Sequence, residues 1–449
     1  MPTLRLKLCL LGLLLLTVIQ LACAQDAPMQ QLGEQVHEQM LAHLALWYPR
    51  CVDEKFGGFH VTYAHDWKPL PDVTRGLVMQ SRLTWAAAMA CEQLPDKRER
   101  FLPIVRHGVA MLQDNYVDTE HGGMRWQIAM PGTDVSSLNI WQHQRKHAYA
   151  MSFALYALAQ AYKVTGDADI LAMAQTQFRW LDEHAHDTVN GGYHEVLEAD
   201  GTPVATPADI ALHPRWDHIG TIRGYKSMNT HIHLLESFGA LHRVWKDPIV
   251  EARLRELFAI VRDKIYVDPG CLNQVFTPTW QAIPTGDSFG HDVETAYLLV
   301  ESAALLGMAD DTRSWQVASN LVDHALAFGF DSRTGGFYDE GAAHKPAHHK
   351  TRYWWVQAEA LNALSLMHAR YGNQTHRYRD SLLKQWDYIK TYQLDREFGG
   401  WVNAILPDNT VPMPAKKKGH NWKGPYHTFR ALVLTDKRLN SHLYPSTAH

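Results

Sequence analysis

Apolar positions recur at helical spacing along nearly the whole chain, and the helical stretches come in pairs. One set falls near 31–49, 98–115, 171–184, 249–266, 312–328 and 377–393. The other falls near 76–92, 146–165, 228–245, 291–307, 353–371 and 425–435 and is more apolar and richer in small residues. Its run Met151-Ser152-Phe153-Ala154-Leu155-Tyr156-Ala157-Leu158-Ala159 suits a helix buried on both sides. Nothing alternates strand with helix in the way a parallel sheet needs.

Between the two members of each pair lies a repeated signal. Asp53-x-x-x-Gly57-Gly58-Phe59 recurs as Asp118 to Gly122-Gly123-Met124, Asp187 to Gly191-Gly192-Tyr193, Asp331 to Gly335-Gly336-Phe337 and Asp395 to Gly399-Gly400-Trp401. The first glycines are 65, 69, 144 and 64 residues apart, and the double-length gap holds a degenerate copy, Asp268-Pro269-Gly270. Glycine pairs permit positive φ, and the residue after them suits a short strand or hairpin. Six copies between twelve helices predict an all-α, closed (α/α)6 barrel of six inner and six outer helices with short β-hairpins at one end. The alternative is an open helical solenoid with atypical end repeats. No charged or Pro/Ser-rich linker divides the chain, so residues 25–449 read as a single domain.

Residues 1–24 read as a signal peptide. Arg5 and Lys7 precede the apolar run Leu8 to Ile19, and Ala22-Cys23-Ala24 offers small residues for cleavage. The expected destination is the periplasm or the exterior. A lipoprotein anchored through Cys23 is the rival reading, weakened by Gln20 where an aliphatic residue belongs. The run is short for a membrane span. Beyond the leader remain Cys51, Cys91 and Cys271, which make neither a disulfide framework nor a zinc site. A net charge of −4 offers no basic field for nucleic acid, so a neutral small ligand is expected. A monomer or weak dimer is the expected state.

Fifteen tryptophans hint at the ligand, because aromatic faces stack on the C–H faces of sugars. Trp126, Trp354, Trp355, Trp401 and Trp422 fall in the glycine loops or at the starts of inner helices. The 27 histidines concentrate beside other reactive groups in three runs. In Lys226 to Glu236, Asn229, His233 and Glu236 share one helical face, whereas His231 lies about 200° round from His233. A helix thus separates the two rings of the His-x-His pair, and no metal is expected. In Gly290-His291-Asp292-Val293-Glu294, His291 and Glu294 share a face, which would let the carboxylate orient the imidazole. In Trp422-Lys423-Gly424-Pro425-Tyr426-His427, Pro425 places His427 in the opening turn of the last inner helix. Two bases converging on one rim could remove a proton from a carbon next to a carbonyl and return it on the opposite face. Arg82, a cation on a face that should be apolar, is the candidate stabiliser of the resulting anion.

The strings Lys226-Ser227-Met228-Asn229-Thr230-His231-Ile232-His233, Gly290 to Glu294, Trp354-Trp355-Val356-Gln357-Ala358-Glu359 and Trp422 to His427 resemble the N-acylglucosamine 2-epimerase superfamily, and within it the cellobiose and mannobiose 2-epimerases. The resemblance covers nearly the whole mature chain. It implies cofactor-free, metal-independent C2 epimerisation of a reducing-end aldose through an enediolate. It further implies that His291 and His427 are the acid/base pair, with Glu294 as partner of His291 and His233 as a third catalytic histidine. Arg82, Tyr149, Asn229, Trp354, Trp355, Trp422 and Glu359 would bind substrate. Thr428 and Phe429 depart from the Asn that many disaccharide epimerases carry after the last histidine. Two other activities compete: an aldose–ketose isomerase of the same superfamily, and an inverting glycoside hydrolase using carboxylates such as Asp292 and Glu359. A non-catalytic sugar-binding protein would not need the histidines.

Overall fold

The structure is a computed structural model describing residues 27–137, 145–209 and 215–443. The expected leader and Cys23 lie outside those residues. Among the described residues twelve α-helices form: α1 (27–47), α2 (Leu77–Gln93), α3 (Arg98–Met111), α4 (Ala148–Thr165), α5 (Ala168–His184), α6 (Met228–Val244), α7 (Pro248–Ile260), α8 (Phe289–Leu305), α9 (Thr312–His324), α10 (Trp354–Tyr371), α11 (Arg377–Tyr388) and α12 (Tyr426–Leu439). The even-numbered helices pack in chain order, and α12 returns onto α2, so the inner ring is closed and the open solenoid is excluded. The fold is an (α/α)6 barrel. None of its described helices is long and apolar enough to cross a membrane.

The two rings differ as their sequences require. Helix α9 buries Ser314, Val317, Ala318, Leu321 and Val322, one stripe at helical spacing. Helix α4 is buried without a break from Ala148 to Ala161, because it has the core on one side and the outer ring on the other. Aspartates start three outer helices: Asp167, Asp247 and Asp311 accept hydrogen bonds from the amides of Asp169, Ile249 and Ser314. Four outer helices, α3, α7, α9 and α11, end in a π-helical turn that leads into the glycine loop. Cys51, Cys91 and Cys271 are free and buried.

The Asp-x-x-x-Gly-Gly repeat proves to be a lock within each helix pair, tying the turn after the outer helix to the start of the inner one. In all five full copies the Asp amide donates to the carbonyl of the second glycine: Asp53 to Gly58, Asp118 to Gly123, Asp187 to Gly192, Asp331 to Gly336 and Asp395 to Gly400. Both glycines of each pair take positive φ. At Gly192 a side chain is also excluded sterically, since a Cβ would lie 2.5 Å from Trp280 and 2.8 Å from His231. The Asp carboxylate meets a buried cation that precedes the next inner helix. Arg75 lies 2.6 Å from Asp53, Lys146 2.9 Å from Asp118, Lys226 2.7 Å from Asp187 and Arg352 2.8 Å from Asp331, and Lys418 pairs with Asp395. Burial alone would raise the Asp187 carboxyl, but Lys226 and the amide of Asn190 outweigh it and hold it far below the usual range. In the degenerate fourth copy the cation is missing. Its place, two residues before α8, belongs to Asp287, and burial with the nearby Asp292 pushes that carboxyl up to about 8.

The fourth residue of an inner helix completes the lock in three copies. Gln80 of α2 and Gln357 of α10 each hold both backbone groups of the residue after the glycines, Phe59 and Phe337. In α6 the same position is His231, whose Nε2 accepts from the amide of Tyr193 at 3.0 Å while Nδ1 meets the Ser227 carbonyl. Burial lowers this ring to about 3, against the Ser227 bond, and burial likewise brings His43 to about 3. Unfolded histidine titrates near 6.5, so below that pH the unfolded chain binds more protons. Stability is complete above about 6.5 and declines as pH falls, by on the order of 2 kcal/mol per such ring at pH 5. His231→Gln, which copies Gln80 and Gln357, is expected to fold and to flatten the fall in urea-unfolding free energy between pH 7 and 5 by about one such ring. A pH dependence identical to that of the unaltered protein would refute this reading.

Candidate functional site

The inner helices all begin at the hairpin end of the barrel, so their first turns surround one cavity of about 390 Å3. Arg82, Tyr149, Asn229, His233, His291, Glu294, Trp354, Trp355, Trp422 and His427 line it, bringing together ten of the eleven expected site residues from all six inner helices and the loop before α12. Glu359 is the exception. It is fully buried behind His427, so it supports a cavity residue and does not itself face substrate. Of the tryptophans grouped with the site, Trp126 packs beneath His218 with ring centroids 4.4 Å apart, and Trp401 belongs to the hydrophobic core. His218 and Ile219, which sequence reasoning missed, join the lining. They come from a loop whose Asp217 reaches His147 Nε2 at 3.0 Å, a contact across 70 residues with no local signal.

The three histidines expected at the site are oriented differently from one another. His427 Nδ1 lies 2.7 Å from Glu359 Oε1, and His233 Nδ1 lies 3.1 Å from Glu236 Oε2. A carboxylate at Nδ1 fixes the ring proton there and leaves the Nε2 lone pair free. The expected pairing of His291 with Glu294 is not formed. His291 Nδ1 meets Ser288 Oγ at 2.8 Å, and Glu294 is drawn inward to Arg430. The shared helical face was read correctly, but a buried guanidinium outcompetes a neutral ring for the carboxylate. Burial lowers His291 to about 4 although Glu294 works against it. His427 falls far below its ordinary range through burial and the nearby Arg82. Both rings are therefore neutral near pH 7. Both also contact Trp355, with ring centroids at 4.9 Å for His291 and 5.7 Å for His427.

Arg82 enters from α2. Its guanidinium lies over the Phe153 and Tyr426 rings at 4.3 and 4.7 Å and donates to Tyr149 Oη at 3.2 Å. Its Nε has no acceptor, and Asn229 Oδ1 and Trp354 Nε1 are likewise buried without a partner. Unmatched buried polar atoms around one cavity are what a hydroxyl-rich ligand would satisfy.

Beneath the cavity sits Arg430, the main residue missed from sequence. It donates to Glu236 at 2.5 Å, to Glu359 at 2.7 Å and to Glu294, and it is itself fully buried. Its signal was a lone cation among Phe429, Ala431, Leu432 and Val433, the same kind of anomaly that marks Arg82. Burial works to raise the Glu236 carboxyl, yet Arg430 and His233 hold it at about 2, whereas Glu359 stays raised because burial there exceeds what Arg430 offsets. Atoms of Glu294, Glu359 and His427 cluster closely enough to grip a cation, but the Arg430 guanidinium already bonds both carboxylates. A hydrolytic carboxylate pair does not assemble either. Asp292 turns away to His324 at 2.9 Å, Glu359 is covered, and Glu294 is the sole carboxylate among the cavity residues.

The fold and this histidine-walled, carboxylate-supported cavity define a barrel enzyme of the carbohydrate isomerase and epimerase class. Residues 57–431 match the family model for N-acylglucosamine 2-epimerase (GlcNAc 2-epimerase), and the chain belongs to that family. It is 28% identical to the cellobiose 2-epimerase of Bacteroides fragilis over 392 residues, covering 87% of this chain and 94% of that one. It is 23% identical to the D-mannose isomerase of Marinomonas mediterranea, covering 88% and 95%. The solved cellobiose 2-epimerase of Spirochaeta thermophila superposes with a TM-score of 0.78 at 28% identity, covering 92% of this chain and 98% of that one.

Replacing Arg430 with Leu leaves Glu236, Glu294 and Glu359 facing one another without counter-charge. The expected cost is about 3–5 kcal/mol in urea unfolding at pH 7. A loss below about 1 kcal/mol would show that the three carboxylates do not depend on it.

Proposed function

We propose that the protein epimerises C2 of the reducing-end aldose of a β-linked disaccharide or oligosaccharide of the cellobiose or mannobiose kind, with His291 and His427 as the proton-transferring pair. The observation that carries this reading is the pair of neutral imidazoles lining one cavity and flanking Trp355, each held at Nδ1 by a different partner. With the sugar open, His427 Nε2 takes the C2 proton. The C2–H electrons form the C1–C2 double bond, and the carbonyl electrons move onto O1 to give a cis-enediolate. Arg82 lines the cavity and supplies a positive charge suited to that oxygen. His291, carrying a proton from solvent, returns one to the other face of C2. Burial disfavours this imidazolium, and the enediolate supplies a counter-charge beside it. The roles exchange in the reverse direction, and His233, backed by Glu236, is placed to aid ring opening. The similarity to curated cellobiose 2-epimerases supports a disaccharide substrate. Export, read from residues 1–24, places that substrate outside the cytoplasm.

A second reading, aldose–ketose isomerisation, draws on the similarity to D-mannose isomerases and on Thr428 after the last histidine. In it the proton returns to C1 and the product is a ketose.

Incubation with cellobiose or mannobiose in deuterium oxide is expected to yield the C2-epimeric aldose carrying deuterium at C2. A ketose product would favour the second reading, and an epimer without deuterium would exclude deprotonation at C2. His291→Ala and His427→Ala are each expected to lower kcat by at least about a hundredfold with disaccharide binding retained. Turnover at the unaltered rate in either variant would remove that ring from the mechanism.

A further inference from the structure

The fourth repeat, where the Asp–cation lock is broken, borders a second cavity. It measures about 310 Å3 and shares Ile219, Asn229 and His291 with the central one. One wall comes from the sheet of Lys226–Ser227, Val275–Phe276 and Ala282–Ile283, another from the sheet of Asp287–Ser288, Glu340–Ala342 and Lys345–His349. The hairpin in which Trp216 bridges Ile222 closes a third side.

Its chemistry is specific. Gln274, Thr285, Thr221 and Ser227 offer neutral donors and acceptors, Glu340 adds a carboxylate, and among the described residues no Lys or Arg lines it. An anionic ligand would therefore have no counter-charge. Asp287 on its wall has both carboxyl oxygens buried, and burial with the nearby Asp292 raises it to about 8, so it adds no exposed charge to the groove. Trp216 is 56% exposed at the edge of the groove, which leaves its ring open to stack on the C–H face of a sugar. Asn229 Oδ1, on the shared wall, is buried and has no donor.

We propose that this groove is a subsite for a further sugar unit of a chain whose reducing end occupies the central cavity, with Trp216 as the stacking platform. The proposal rests on the epimerase reading and extends it, placing a further sugar unit beside the residues Ile219, Asn229 and His291 that the two cavities share. The missing cation matters here, because a buried lysine or arginine at position 287, as in the other copies, would put a charged side chain on the wall of the groove.

The test compares kcat/KM for cellobiose and cellotriose, and for mannobiose and mannotriose, in the full chain and in Trp216→Ala. The variant is expected to lower the trisaccharide values about three- to tenfold and leave the disaccharide values within about twofold. Gln274→Ala, which removes a groove amide without touching the central cavity, is expected to act in the same direction. Equal effects on both sugar lengths, or none on either, would overturn the subsite. Unaltered protein that turns over neither length would instead overturn the epimerase reading from which the subsite follows.

Discussion

A single guanidinium governs the floor of the active cavity. Arg430 on α12 reaches Glu236 on α6, Glu294 on α8 and Glu359 on α10, so four of the six inner helices meet at one buried cation. Charges taken from water must be paired, and a planar fork with several donors can serve three carboxylates at once. From this the orientation of the site follows. Glu236 and Glu359, fixed from below, hold Nδ1 of His233 and His427 and turn the opposite nitrogens upward. His291, outside this network, takes a hydroxyl partner instead, so the two rings proposed to transfer protons are held by chemically unequal partners.

The rim is built on a different principle. Each full repeat joins a tight glycine turn to the next inner helix through an aspartate and a buried lysine or arginine. The lock sets where each inner helix starts, and helix starts carry the reactive side chains. Tyr149, Asn229, Trp355 and His427 are each the second residue of their helix. Placement of the cavity-lining groups is thus a property of the repeat, and the copy without a cation is the one beside which the barrel opens a second groove.

The helix pairs, the sixfold repeat and ten of eleven site residues were legible in the sequence, because helical periodicity and glycine punctuation are local signals. The face shared by Asn229, His233 and Glu236, and the exclusion of His231 from it, followed from helix geometry alone. What escaped was relational. The partner of Glu294 could not be read from its own helix, because Arg430 arrives from 136 residues away. Glu359 lies one layer deeper than its neighbours Trp354 and Trp355, a difference that spacing does not encode. The repeated aspartate was visible as a pattern, but its meaning required seeing the cation it meets. Trp401, grouped with the sugar-facing rings by position, is core.

The closure of the ring also bears on how the chain is threaded. Helix α1 touches the last helix pair directly: His37 meets Asp436 at 2.8 Å, and Trp386 donates to Gln35 at 2.8 Å. The first outer helix therefore fills the same structural office at the seam as any interior helix does between its neighbours. Such an architecture is cyclic in space though linear in sequence, and a circular permutant that joined these two ends and opened another outer loop would keep every contact of the toroid.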